Sequence, residues 1–172
     1  TAKAVAEAGI PVTDVAELTG VPAILGHRVV TLHPKVHGGI LANRDDPEHQ
    51  ADLDEHGIPL FDLVVVNLYP FGADGGAIGG HELPPGVDLI DIGGPTLVRA
   101  AAKNHASVGI VTDPAQYDAV MLELGHGGGL SEGMRRELAL AAYRLTAGYD
   151  RLIAGTLAER WWSPPPSPLP PL

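Results

Sequence analysis

Two short runs, Phe61 to Asn67 and Ala106 to Thr112, gather valine and isoleucine without polar alternation and are bounded by turn residues. Strands buried on both faces read this way, so the pair predicts parallel strands with both faces covered. Around them the apolar period lengthens. Asp113-Pro114 supplies an N-cap and a first-turn proline for a helix to about Leu124, and Asp46-Pro47 repeats the signal before a helix ending near Gly57. Ser131 is placed to cap a long helix in which Leu138, Leu145 and Leu152 recur seven residues apart, the pattern of a face laid on a core. Thr1 to Ala8 is helical in character and stops at Gly9. Strand and helix signals in alternation predict an α/β domain with a parallel sheet flanked by helices, a class whose ligands usually sit beyond the carboxyl ends of the strands.

Two glycine-rich stretches punctuate this pattern. Gly125 to Gly129 is a flexible break, and Gly72 to Gly80 is a loop without the spacing of a P-loop or a dinucleotide fingerprint. Trp161-Trp162 runs into a proline-rich end, Ser163 to Leu172, which cannot continue a helix. The expected division is one domain over residues 1–158 and an extended or disordered tail over 159–172.

At 172 residues, with 45% hydrophobic and 19% charged positions, the chain suits one domain of ordinary globular composition. No apolar run approaches the roughly 20 residues that span a bilayer, and no segment has the layout of a secretory signal, so a cytoplasmic location is expected. Cysteine is absent, which excludes disulfides and thiolate chemistry. Eleven basic against 21 acidic residues give a net charge of −10, which disfavours nonspecific nucleic-acid binding. Local donors can still hold a small anion against that background.

Three places could carry chemistry. Asp91-Ile92-Gly93-Gly94-Pro95 sets a carboxylate before two glycines, with Pro95 suited to the first position of a helix whose exposed amides can stabilise a developing oxyanion. Along that helix Arg99 and Lys103 share a face and Asn104 and His105 end it, a pattern that a plain solvated basic face explains equally well. Asn67 and Tyr69 stand at the carboxyl end of the first strand. The stretch Arg28 to Gly39 concentrates cations and hydroxyls. His33 and His37 within it have metal-like spacing, but Pro34 intervenes and no carboxylate accompanies them.

These segments read RVVTLHPKVHGGILA from Arg28, DLVVVNLYPF from Asp62 and IDIGGPTLVRAAAKNH from Ile90, followed by Thr146-Ala-Gly-Tyr-Asp150. In that order the chain resembles the IMP cyclohydrolase domain of the bifunctional purine-biosynthesis enzymes that also carry AICAR transformylase. The resemblance implies a methylglyoxal-synthase-like fold, a cytoplasmic homodimer and ring closure of 5-formamido-imidazole-4-carboxamide ribotide (FAICAR) to IMP. It implies no metal or organic cofactor, and neither nucleic acid nor membrane as partner. Lys103, Asp91 and Tyr69 would be catalytic, and Arg28, Thr31, Asn67, Ile92, Gly93, Gly94 and Thr1 would bind the ribotide.

Two departures from the family pattern shape the expectation. Val30 stands where the family has a catalytic lysine, and Lys35, five residues on, is not a position that the resemblance marks. Thr1 corresponds to the last threonine of a Ser-Thr-Gly-Gly-Thr phosphate loop, so the first strand-helix unit of the fold and the transformylase domain are expected to be missing. Three readings follow: an impaired IMP cyclohydrolase, a nucleotide-binding regulatory module of the methylglyoxal-synthase-like type, or a fragment that does not function.

Overall fold

Both valine-rich runs become strands in the computed structural model of the chain, which describes residues 2–69, 71 and 87–161. β1 (Leu63–Val65) and β2 (Gly109–Val111) pair in parallel, with Leu63 opposite Gly109 and Val65 opposite Val111. All three β2 residues are buried, as a strand covered on both faces requires. β1 differs from expectation. Val64 is buried but Val65 is half exposed, so only one face of β1 is fully covered among the described residues.

The helix that joins these strands is α5 (Gly93–Lys103). It starts beyond the carboxyl end of β1 and ends before the amino end of β2, so it runs opposite to both. Val98 and Ala100 to Ala102 are buried on it, and the alanines let α7 (Glu132–Trp161) pack closely against one flank. α3 (Pro34–Leu41) packs on the other flank. Gly39 of α3 has no alternative. A Cβ there would stand 2.0 Å from the Pro59 carbonyl oxygen and 2.8 Å from the Phe61 ring. Side chains of Ile40, Val64, Val98, Ile110, Val120 and Leu138 meet in one core.

Local signals set the other elements. α4 (Pro47–His56) begins where Asp46 Oδ1 accepts from the Glu48 amide and ends at Gly57, whose left-handed φ of 58° suits glycine. Asp113 caps a short 3₁₀ turn before α6 (Tyr117–Gly125), and Gln116 reaches back to the Asp113 amide. His33 caps α3 with Nδ1, accepting from the Lys35 amide at 3.1 Å. Two short N-terminal helices, α1 (Ala2–Glu7) and α2 (Val15–Thr19), bury no residue completely.

α7 corrects two expectations. Its buried stripe is Leu138, Ala139, Ala142, Thr146 and Tyr149, whereas Leu152 is 50% exposed. A seven-residue repeat drifts about 20° per heptad around a straight helix, so two heptads carry Leu152 away from the core that Leu138 enters. The helix also continues through Trp161, three residues into the stretch expected as tail. Glu159 and Trp161 are ordinary helix residues, and the first helix-breaking position is Pro164. The Gly72 to Gly80 loop and residues 162–172 lie outside the described residues.

Candidate functional site at the carboxyl edge of the sheet

α5 starts at Gly93, two residues ahead of Pro95, the expected first position. Asp91 accounts for the early start, because its Oδ1 accepts from the Gly94 amide at 2.7 Å and so satisfies one of the donors that a first turn leaves open. Pro95 is tolerated there because first-turn amides have no acceptor within the helix. Thr96 Oγ1 donates to the Ile92 carbonyl at 2.6 Å. With Gly94 satisfied and Pro95 lacking an N–H, the amides of Ile92 and Gly93 are those that a ligand oxygen can meet at this turn.

The two glycines mark close approaches. A Cβ on Gly93 would lie 3.0 Å from Thr31 Oγ1, and one on Gly94 would lie 2.3 Å from Asp91 Oδ2 and 2.9 Å from Leu68 Cδ2. Thr31 therefore reaches the turn from one side, and the segment that carries Asn67 and Tyr69 reaches it from the other. Tyr69 is 66% exposed and Asn67 is exposed as well.

The direction of α3 adds to the electrostatics. Thr31, just before α3, stands at Gly93, while Asn104, just after α5, donates from Nδ2 to the carbonyls of Ile40 and Ala42 at 2.8 and 3.0 Å. α3 and α5 thus run side by side in the same direction. Each helix places about half a positive charge at its amino end, and both ends open on the edge where β1 terminates. In a chain of net charge −10 this makes a local site for an anion or a developing oxyanion.

Arg28 and Val30 meet neighbours that the sequence did not disclose. Arg28 follows a turn in which Leu25, Gly26 and His27 all have positive φ, and its guanidinium is paired with Asp88, on the short turn leading to Asp91. The pairing engages one nitrogen of a guanidinium that stays largely exposed, so an anion can share the group with Asp88 or displace it. Val30 lines a shallow depression of about 200 Å³ with Thr19, Val21, Ile24 and Leu32, an apolar surface beside Thr31.

Lys103 stands at the opposite end of α5. Nine residues at about 1.5 Å each carry its Cα roughly 14 Å along the axis from Gly94, toward the amino edge of the sheet. Adjacency in the motif is not adjacency in space, and within one chain Lys103 does not join the Asp91 cluster. Lys35, in the first turn of α3, lies at the near edge. Asn104 and His105 serve the fold. Asn104 ties α5 to α3, and the His105 and Ala106 carbonyls each accept from Arg135 at 2.8 Å. Thr1 lies outside the described residues.

Sequence reasoning gave no role to Tyr149, although it belongs to the Thr146 to Asp150 motif. Its Oη accepts from the Asp91 amide at 2.8 Å. Burial pushes its phenol above the usual value, partly opposed by that hydrogen bond and reinforced by the charges of Asp91 and Asp150, so it stays neutral at physiological pH. The available signal was its place one turn beyond Thr146 on the stripe that begins at Leu138.

Comparisons with known proteins bear on the family of the whole chain. Residues 1–96 match the model of the MGS-like domain and residues 101–167 that of the AICARFT/IMPCHase bienzyme. The chain is 53% identical over 162 residues to the bifunctional purine biosynthesis protein PurH of Prochlorococcus marinus, covering 93% of this chain and 30% of that protein. It is 55% identical over 164 residues to PurH of Synechococcus elongatus, covering 94% of this chain and 31% of that protein. The chain thus spans about 30% of the length of these relatives. The crystal structure of ForH superposes with a TM-score of 0.72 at 38% identity, over 88% of this chain and 79% of that one. A methylglyoxal-synthase-like first part, followed by a stretch matching the bienzyme itself, shows that this chain belongs to the AICARFT/IMPCHase bienzyme family.

Proposed function

We propose that the carboxyl edge of the sheet binds a purine ribotide and closes its second ring, converting FAICAR to IMP with loss of water. The observation that carries this reading is the convergence of Asp91, the Gly93-Gly94 turn, Thr31 and the Asn67 to Tyr69 segment where α3 and α5 both present their amino ends. In the reaction the carboxamide nitrogen attacks the formyl carbon and gives up a proton. The formyl oxygen, briefly anionic, takes up that proton and a second one from the formamido nitrogen, and leaves as water as the ring C=N bond forms.

In this reading Asp91 receives the proton from nitrogen, and the amides of Ile92 and Gly93 with the Tyr69 hydroxyl meet the formyl oxygen. Thr31, Asn67 and Gly94 border the bound ring, and Arg28 exchanges Asp88 for the ribotide phosphate. Positioning and preorganised dipoles supply the rate, with no metal or organic cofactor required. Lys103 acts within one chain only as a distant charge. Two lesser expectations accompany the reading: a cytoplasmic location, and a homodimer that sedimentation velocity reads directly.

Incubating the purified chain with FAICAR and following IMP formation tests the proposal, and a rate equal to the uncatalysed background overturns catalysis. One observation favours a second reading, binding without turnover. Val30 presents an apolar surface where the family resemblance calls for a lysine. Losing one well-placed donor typically costs about a hundredfold in rate. Val30→Lys is therefore expected to raise turnover while IMP affinity changes little. Calorimetry that detects IMP binding beside no turnover in either form would decide for the binding module.

A further inference from the structure

The proposed reaction leaves Tyr149 unused, yet it is 8% exposed and its hydroxyl is fully engaged. A phenol this deep needs partners. It accepts from the Asp91 amide at 2.8 Å, and its own proton is directed to the Leu89 carbonyl at 3.5 Å. The ring meets Phe71 edge-on, with centroids 6.4 Å apart and planes at 73°. Phe71 follows closely on Tyr69, and Leu89 to Asp91 lead directly into Gly93. One side chain of α7 therefore grips the chain on both sides of residues 72–86 and next to both parts of the candidate site.

We infer that Tyr149 is a positioning residue, whose hydroxyl fixes the Asp91 amide and thereby aims the Asp91 carboxylate at Gly94 and the ligand. The inference rests on the reading of that turn as the nucleotide site. The geometry gives it physical content. Asp91 is held at its backbone by Tyr149 and at its side chain by the Gly94 amide, and neither bond alone settles where the second carboxylate oxygen points. Without the phenol oxygen, a partly buried amide loses its acceptor and the turn is free to rotate about the Asp91 backbone. Donors that must be in place before the ligand arrives then lose their preorganisation. α7, which touches no ligand in this reading, thus sets the geometry of the site from behind.

Tyr149→Phe keeps the ring against Phe71 and removes only the oxygen. Amide hydrogen exchange by NMR in the full chain reads the turn directly. Exchange at Asp91 and Gly94 should quicken at least tenfold, while Ile110 and Val111 in β2 keep their protection. Calorimetric titration with IMP should show Kd rising about tenfold. Unchanged protection at Asp91 and Gly94 overturns the inference, and so does a uniform rise that includes Ile110 and Val111, since that is general loss of stability. Local quickening with unchanged IMP affinity overturns the functional part of it. If the unaltered chain gives no heat with IMP, the nucleotide reading fails, and the exchange pattern alone then decides whether Tyr149 sets the turn.

Discussion

The two ends of α5 treat the same backbone problem in opposite ways. At its carboxyl end nearby carbonyls are claimed by side chains: Arg135 donates to His105 and Ala106, and also bonds the Leu130 carbonyl, while Asn104 donates onto the last turn of α3. At its amino end one carboxylate takes one amide, a proline removes another, and two glycines keep the surface bare. The first end is cross-braced to α3 and α7 by side chains and serves stability. The second leaves donors for something that is not part of the chain. Within one helix, then, function is read from which backbone groups the protein has left unclaimed.

That contrast can be broken from either side. The largest expected effect is at the cross-braced end. Arg135→Ala removes a charged donor shared among three carbonyls and should cost about 3 kcal/mol of stability, taking hydrogen bonds to charged groups at roughly 1.5–3 kcal/mol each and allowing for their non-additivity. Urea unfolding measures it, and IMP affinity at temperatures where the variant is folded should be unchanged. A loss of affinity matching the loss of stability would show that the two ends are not separable.

At the open end, Asp91→Asn keeps an acceptor for the Gly94 amide but removes the charge and the base. Turnover should fall about a hundredfold, with unfolding free energy altered by less than about 1 kcal/mol. A variant with full turnover would remove Asp91 from the chemistry. Smallest is Lys103→Ala, expected to lower turnover by less than about tenfold, because a charge more than a Debye length from the reacting atoms is largely screened at physiological ionic strength. A loss as deep as that of Asp91→Asn would mean that Lys103 reaches a reaction centre in another copy of the chain.

Most of the elements were legible in the sequence because their signals are local. Asp46-Pro47 and Asp113-Pro114 start their helices wherever they occur, since a cap and a fixed φ act within one turn. The valine-rich strands follow from burial alone. The start of α5 was misplaced by two residues because Pro95 is an equally good sign of the first and third positions, and only the Asp91 to Gly94 bond separates them. The buried face of α7 was misjudged because a heptad drifts around a straight helix, which carries Leu152 off the stripe that Leu138 enters.

The candidate site divides in the same way. Asp91, the glycines and Tyr69 could be named from residue order, because a carboxylate before a glycine-rich helix start has a chemistry of its own. Which partners share the space could not. Thr31 at Gly93, Asp88 on Arg28 and Tyr149 behind Asp91 are joined across some 60 residues or so of chain, and Lys103 is separated from Asp91 by the length of the helix that carries both. The chain's own order determined the helix starts, the buried strands and the family motifs, all of which depend on neighbours in sequence. Only the parallel packing of α3 on α5, and of α7 behind them, decided which groups face one ligand, because that choice belongs to the core they jointly bury.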